Sequence, residues 1–205
     1  MANPPPHFIV FVPGYMGSRL RNRRTGELVW LDIPGLLRNP FDIPGALERM
    51  FDQMRYPNDD LIPDGIVDEV LFLPPLFKQE QYGRMLEALA RMGYNTTGKP
   101  ATGELAAYTF AYDWRQDNRI SARQLGQFIE SLEEKHPGAK AILIGHSNGG
   151  IVSRWYIEKE GGSSHVSRLF LMGSPWDGAP KAFQVLQDGL EVFLMGIFNR
   201  YDNRL

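Results

Sequence analysis

The feature that most constrains this chain is the segment 145–150, whose sequence is GHSNGG. It follows the apolar run 141–144 (AILI), which has the pattern of a buried β-strand, and it precedes a stretch with helical periodicity. A serine placed between glycines at a strand-to-helix junction predicts a very sharp turn with a strained backbone at Ser147. Gly145 and Gly149 fit this prediction, because larger side chains at these positions would collide.

Such a turn has a direct chemical use. The Ser147 hydroxyl would project from the edge of the sheet, beside the N–H groups that begin a helix. Those N–H groups can stabilise the negative charge that forms on a carbonyl oxygen under attack. The segment therefore predicts a nucleophilic serine in a nucleophile elbow. The alternative interpretation is a glycine-rich turn with a purely structural role.

A second glycine-containing segment, 13–17 (PGYMG), follows the first apolar strand of the chain. An acyl-transfer serine needs two N–H donors for the oxyanion: one from the residue after the serine, here Asn148, and one from a loop after an early strand. We assign the second donor to Met16, with Tyr15 as the alternative, and expect Gly14 to allow a close approach of the backbone. The competing interpretation is an ordinary turn at the end of a strand.

The rest of the chain alternates strand and helix patterns. The predicted strands are 8–12, 66–73, 107–112, 141–145 and 168–173, and the predicted helices are 44–54, 78–92, 119–135, 149–160 and 179–198. This alternation predicts an α/β fold: a mostly parallel sheet with helices on both faces, in a single domain over 1–205. The stretch 26–65 reads as an excursion on the rim. The segments 13–17 and 113–115 and the turn at Ser147 are expected to meet at the carboxyl edge of the sheet.

Composition excludes several other classes of protein. A net charge of −2 gives no support for a nucleic-acid partner, and the absence of cysteine excludes disulfides, thiolate metal sites and a cysteine nucleophile. Segment 93–99 (GYNTTGK) matches most of a phosphate-binding loop, but Pro100 stands where a hydroxyl residue is needed, so we expect no nucleotide. No metal and no cofactor is predicted. Without a signal peptide or a membrane-length apolar run, we expect a cytoplasmic protein.

Four segments together resemble the lecithin:cholesterol acyltransferase-like branch of the α/β-hydrolases, which includes bacterial lipases and acyltransferases. They are 12–20 (VPGYMGSRL), 110–115 (FAYDWR), 145–150 (GHSNGG) and 173–180 (GSPWDGAP). The YDWR part is the most diagnostic. The resemblance implies that Ser147 is the nucleophile and that Met16 and Asn148 form the oxyanion hole. It also implies lipid-like ester substrates with long acyl chains, cleaved or transferred through an acyl-serine, with transient contact with a lipid surface.

Five further residues are candidates for shaping the site. Asp113 and Arg115 are expected to form a buried ion pair that fixes the rim beside the serine, the alternative being a contact with the substrate head group. Trp30, Trp114 and Tyr15 lie in rim segments and are candidates for lining an acyl-chain channel. Ordinary core packing is the alternative for the two tryptophans.

The chain lacks a convincing general base for the serine. In this fold the acid and the histidine follow the serine in chain order. The histidine that follows Ser147 is His165, which precedes the strand at 168–173 and is expected at the amino edge, roughly 17–20 Å from the carboxyl edge. Asp177 follows that strand and is a candidate acid, whereas the family resemblance implies that the acid and the histidine both lie farther downstream, in a region the chain lacks. We therefore predict the N-terminal part of a longer enzyme, truncated after this strand and inactive as it stands.

Two functions remain open at this point. The first is a serine esterase, lipase or acyltransferase, in which the helix at 179–198 is either the start of a lid or an ordinary covering helix. The second is a non-catalytic lipid- or partner-binding module, naturally short, that keeps the turn at Ser147 as scaffold.

Overall fold

A computed structural model describes residues 6–30, 32, 35, 38–54, 60–67, 69–72, 77–80, 82–101 and 103–180. The chain divides into two compact units, Met1–Ser174 and Pro175–Leu205. The first unit carries the sheet that contains the turn at Ser147. The helix predicted at 179–198 falls, apart from its first two positions, outside the described residues.

The described strands are β1 (His7–Val12), β2 (Ser18–Asn22), β3 (Leu28–Trp30), β4 (Leu61–Ile66), β5 (Glu69–Phe72), β6 (Phe77–Glu80), β7 (Ala107–Thr109), β8 (Lys140–His146) and β9 (Val166–Met172). The described helices are α1 (Ile43–Gln53), α2 (Gly83–Arg91), α3 (Asn118–Glu133) and α4 (Asn148–Lys159). Short 3-10 turns occur at Pro40–Asp42 and Gly162–Ser164. Among the described helices, none combines the length and the apolar composition needed to cross a bilayer.

The main sheet has four strands in the order β7-β1-β8-β9, and every neighbouring pair is parallel. In the central pair, Val10 of β1 lies opposite Leu143 of β8. Parallel strands need crossover connections, and the helices α3 and α4 make the crossovers from β7 to β8 and from β8 to β9. The predicted parallel α/β sheet is confirmed.

Helices pack on both faces of the sheet at the central strand β1, and for that reason β1 is apolar along nearly its whole length, whereas β9 at the edge exposes Phe170, Leu171 and Met172. Phe8 and Val10 point to one face, where they pack in one core with Leu125 of α3. Ile9 points to the opposite face and packs with Leu89 of α2. Because successive side chains of a strand point to opposite faces, β1 contributes to two separate layers of the core.

Three predicted elements are wrong in their boundaries, one of them the strand at 107–112, which ends at Thr109 as β7. The predicted strand at 66–73 is split, since β4 ends at Ile66 and β5 spans Glu69–Phe72. The predicted helix at 78–92 begins later, at Gly83, because Phe77–Glu80 pairs antiparallel with β5 as a β-hairpin. Pairing with a second strand satisfies the backbone there, and side-chain periodicity within one segment cannot reveal such a partner.

The rim excursion also contains a sheet that the sequence did not indicate. The predicted helix near 44–54 is present as α1, but β2, β3 and β4 form a separate antiparallel sheet in the order β3-β2-β4. Strand β2 begins directly after the loop 13–17, and Val67 N–H, just beyond β4, donates to Gly17 O at 2.9 Å. The small sheet therefore anchors the far end of that loop.

Candidate active site

The connection between β8 and α4 is a single residue, Ser147. Strand β8 ends at His146 and α4 begins at Asn148. Ser147 has φ 51° and ψ −121°, a backbone conformation that favours glycine. A residue other than glycine in this backbone conformation carries about 1–3 kcal/mol of strain, which the surrounding interactions must offset. One restraint is the Ser147 N–H, which donates to Met172 O of the neighbouring β9 at 2.8 Å.

The glycines around Ser147 are required by close backbone contacts. A Cβ atom on Gly145 would lie 2.6 Å from Gly150 Cα, so strand and helix could not meet as they do. A Cβ atom on Gly149 would lie 2.2 Å from the carbonyl oxygen of Val12, at the end of β1. The start of α4 therefore rests directly on the backbone of the central strands.

The loop 13–17 lies against this turn. Gly17 N–H donates to Gly14 O at 3.0 Å and closes a β-turn, in which Met16 has φ 61°. Within the described ranges, Met16 and Ser147 are the residues other than glycine with positive φ. A Cβ atom on Gly14 would lie 3.0 Å from Ser147 Cβ. The two strained turns thus face each other at van der Waals distance.

Two backbone N–H groups of these turns have no acceptor among the described residues. Asn148 is the first residue of α4, and a helix start has no intrahelical acceptor for its N–H. In the part of the chain that the structure describes, neither Asn148 N–H nor Met16 N–H donates a hydrogen bond. The Ser147 hydroxyl is half-buried and likewise has no partner among these residues. A serine hydroxyl without a partner and two free backbone donors, all judged within the described residues, are therefore present in adjoining turns.

Asp113 and Arg115 form a two-pronged ion pair just after β7. Arg115 Nη2 lies 2.7 Å from Asp113 Oδ2, Arg115 Nε donates to Oδ1 at 2.8 Å, and the two side chains are only 4% and 3% exposed. Arg115 Nη1 also donates to Met54 O at 3.3 Å, directly after α1. The pair thus ties the segment after β7 to the rim excursion.

The three aromatic candidates differ in exposure. Trp30 and Trp114 are 8% and 4% exposed, and their ring centroids lie 5.6 Å apart. Both indoles hold the loop region, since Trp30 Nε1 donates to Met16 O at 2.9 Å and Trp114 Nε1 donates to Ser18 O at 3.0 Å. Tyr15 is 53% exposed and packs edge-on against Trp114. Of the three, Tyr15 offers an open aromatic surface, and the acyl-channel role of all three stays a prediction.

Sequence reasoning missed two buried tyrosines that contact the same loop. Tyr82 Oη accepts from Gly14 N–H at 3.0 Å, and Tyr112 Oη donates to Pro13 O at 3.0 Å. The sequence could have indicated a role for Tyr112, since this residue belongs to the YDWR segment. No sequence motif indicates Tyr82, because it lies 64 residues before His146 and contacts the site only in the folded protein.

Each histidine of the chain has a partner other than Ser147. The contacts are His7 Nε2 with Tyr94 Oη at 2.7 Å, His136 Nε2 with Tyr108 Oη at 2.7 Å, His146 Nδ1 with Tyr82 Oη at 3.0 Å and His165 Nδ1 with Glu133 Oε2 at 2.8 Å. His165 lies directly before β9, at the amino edge of the sheet. Asp177 belongs to the second unit, and its role as acid stays a prediction.

Outside the turn at Ser147, the described residues offer neither a metal cluster nor a cavity of one chemical character. Among the described residues, no group of three or more His, Asp or Glu side chains is arranged to hold a metal. A cavity of about 530 Å³ lies between β3 and α1 and is lined by residues that include Glu27, Asp32, Arg38 and Arg49. This lining carries both acidic and basic side chains, which favour no single class of ligand. None of the predicted site residues lines the cavity.

A parallel sheet covered on both faces, with a strained serine between a central strand and the next helix, defines an α/β-hydrolase-type protein. The family model of lecithin:cholesterol acyltransferase matches residues 61–199, which is more than half of the chain. The chain belongs to this family, and the resemblance seen in its sequence motifs is confirmed.

Individual relatives are distant. The chain is 25% identical to an uncharacterized protein, YJR098C, of Saccharomyces cerevisiae over 82% of the chain and 23% of the relative. It is 24% identical to the lysosomal phospholipase A and acyltransferase of Bos taurus over 88% of the chain and 50% of the relative. A chain of the Tle4–Tli4 complex shares the fold, with a TM-score of 0.57 and 20% sequence identity. The match covers 90% of the present chain and 48% of that chain. The chain thus spans half or less of the length of these proteins.

Proposed function

We propose that this chain supplies the nucleophile and the oxyanion donors of a serine-dependent lipid-ester hydrolase or acyltransferase. The observation that carries the proposal is the meeting of two strained turns. One holds the Ser147 hydroxyl and the Asn148 N–H, the other holds the Met16 N–H, and none of these groups has a partner among the described residues. Backbone donors held in place before the reaction stabilise a developing oxyanion without reorganisation.

In the proposed reaction, Ser147 Oγ attacks the ester carbonyl carbon while its proton passes to a general base. The carbonyl π electrons move to the oxygen, which the N–H groups of Met16 and Asn148 receive. The tetrahedral intermediate collapses, the alcohol leaves with the proton from the base, and an acyl-serine remains. Water or a second alcohol then attacks the acyl-serine by the same steps in reverse.

The base in this proposal is a histidine outside these 205 residues, because none of the four histidines here contacts the Ser147 hydroxyl. A serine hydroxyl without a base is a weak nucleophile, so we expect these residues to be inactive by themselves.

Lipid-like esters are the proposed substrates. The family and the bovine phospholipase A and acyltransferase support this class. The half-exposed ring of Tyr15, beside the buried Trp114, offers an apolar surface for an acyl chain close to Met16. Because such substrates reside in lipid aggregates, transient contact with a lipid surface is part of the proposal.

Labelling with a fluorophosphonate probe tests this function. The full-length protein should become covalently labelled, Ser147→Ala should abolish the label, and Ser131→Ala should retain it. Ser131 is a fair control because its hydroxyl is exposed on α3 and donates only to Phe128 O. If the wild-type protein stays unlabelled, hydrolyses no phospholipid and yet binds phospholipid vesicles, the non-catalytic lipid-binding alternative replaces the enzyme.

A further inference from the structure

Two buried tyrosine hydroxyls connect the loop 13–17 to the turn at Ser147, one on each side of the serine. Tyr82 lies immediately before α2 and is 4% exposed; Tyr112 follows β7 and is fully buried. The two residues are 30 positions apart in sequence and reach the loop from different elements. Neither belongs to the nucleophile or to the oxyanion donors proposed above.

The first bridge runs through Tyr82. Its hydroxyl accepts from Gly14 N–H at 3.0 Å and shares a hydrogen bond of 3.0 Å with His146 Nδ1. The ring is held by an edge-on contact with Phe11, with centroids 4.8 Å apart. Burial lowers the pKa of His146, so its imidazole is neutral at pH 7. This bridge joins Gly14 to the residue that precedes Ser147.

The second bridge runs through Tyr112. Its hydroxyl donates to Pro13 O at 3.0 Å and accepts from Asn148 Nδ2 at 3.1 Å. Burial raises the pKa of Tyr112, so the phenol keeps the proton that it donates. Asn148 is itself fixed by a reciprocal amide pair with Asn118, with both bonds 2.9 Å long. This bridge joins Pro13 to the residue that follows Ser147.

The two bridges attach to consecutive residues of the loop and to both neighbours of the serine. They therefore restrain the loop against sliding along the turn as well as against moving away from it. The space between the two turns is already closed, because even a Cβ atom on Gly14 would lie 3.0 Å from His146 Nδ1 and from Ser147 Cβ. The loop is thus held against the turn both by this close packing and by the two tyrosine hydroxyls.

We propose that Tyr82 and Tyr112 are positioning residues that set the distance between the Met16 and Asn148 donors through their two hydrogen-bonded bridges. The proposal rests on the proposed serine-esterase function. Positioning of donors acts on the transition state more than on substrate binding, so its loss lowers kcat and leaves KM nearly unchanged. Displacement of catalytic groups by about 1 Å can reduce rates roughly 100-fold.

The test uses Tyr82→Phe, Tyr112→Phe and the double variant in the full-length protein. Each change removes one hydroxyl and keeps the ring in place. We expect kcat for an ester substrate, and the rate of fluorophosphonate labelling, to fall about 10- to 100-fold in each single variant, with KM within twofold of wild type. Because both bridges hold one loop, the double variant should lose less than the product of the single losses.

Tyr108→Phe is the matched control. Tyr108 is also buried, and its hydroxyl also contacts a histidine, His136 Nε2 at 2.7 Å, but beside the amino edge of the sheet. It should keep wild-type kcat. If Tyr82→Phe and Tyr112→Phe keep kcat as the control does, or if they change KM and kcat equally, the positioning role is wrong.

Two further variants distinguish a failure of the positioning role from a failure of the proposed function. If Ser147→Ala is labelled as fast as wild type, the proposed function itself fails, whatever the tyrosine variants do. If Tyr82→Phe does not fold, Tyr112→Phe alone tests the proposal. If Tyr112→Phe does not fold, Asn118→Ala tests the second bridge instead, because it removes the two amide bonds that fix Asn148 and leaves Tyr112 in place. That variant should also lower kcat with KM unchanged, and an unchanged kcat would contradict the proposal.

Discussion

Gly14 and Ser147 face each other so closely that a Cβ atom on Gly14 would lie 3.0 Å from Ser147 Cβ. We therefore expect Gly14→Ala to push the loop 13–17 away from the serine and to reduce fluorophosphonate labelling at least tenfold. Gly26→Ala is the control: it has φ 73° and no atom within 4 Å of its added Cβ. It should lower stability by about 1 kcal/mol through backbone strain alone and leave labelling intact. Equal labelling of the two variants would contradict the close approach.

The identity of the second oxyanion donor can be tested at Tyr15. Residue 15 is the second position of the turn that Gly14 and Gly17 close, where proline is well tolerated. Tyr15→Pro removes the N–H together with the side chain, whereas Tyr15→Ala removes only the side chain. If Met16 is the donor, both variants should have the same kcat. A further loss of roughly 100- to 1,000-fold in Tyr15→Pro would assign the donor to Tyr15.

Arg115 should be far more important for stability than an exposed arginine. Arg115→Met leaves the Asp113 carboxylate buried without its cation, and we expect a loss of about 3–5 kcal/mol in the free energy of unfolding. Arg91→Met is the comparison, because the Arg91–Glu87 pair is 72% and 66% exposed and should contribute about 0.5 kcal/mol or less. Urea unfolding measures both. A loss below 1 kcal/mol at Arg115 would be inconsistent with the buried pair.

The hydroxyl of Tyr156 should be dispensable. Within the described residues it is buried and has no hydrogen-bond partner, and burial, together with the charges of Glu133 and Glu130, raises the pKa of Tyr156 to about 12. Tyr156→Phe should therefore raise the free energy of unfolding by about 1 kcal/mol. Tyr108→Phe, which loses a bond to His136, should lower it by about the same amount. A destabilised Tyr156→Phe would reveal a partner for this hydroxyl.

Two histidines should make the fold less stable in acid. Burial lowers the pKa of His146, and burial followed by the charge of Lys135 lowers the pKa of His136. Below pH ~6.5 the unfolded chain binds these protons before the folded one, so stability is complete above that pH and falls as pH decreases towards the folded pKa values. In urea unfolding between pH 8 and pH 5, His136→Gln and His146→Gln should each show a smaller fall than wild type. Parallel curves would contradict the assigned shifts.

The local features of the site could be predicted from sequence because short-range geometry dictates them. The apolar run before Ser147 and the glycines around it are specific to a strand that turns at once into a helix, and the structure has that connection. The boundary of α2 could not be predicted, since Phe77–Glu80 is a strand only through its pairing with β5. The apolar pattern within a segment indicates which face of a helix or strand is buried. It does not indicate which other strand the segment pairs with.

The sequence by itself determined the α/β sheet, the sharp turn at Ser147 and the glycines that this turn requires, because each follows from sterics and periodicity over a few consecutive residues. Only the tertiary structure decided that Tyr82 and Tyr112 would meet Pro13 and Gly14. A hydrogen bond between groups 68 or 99 positions apart depends on how strands and helices pack, and that packing is a property of the whole chain.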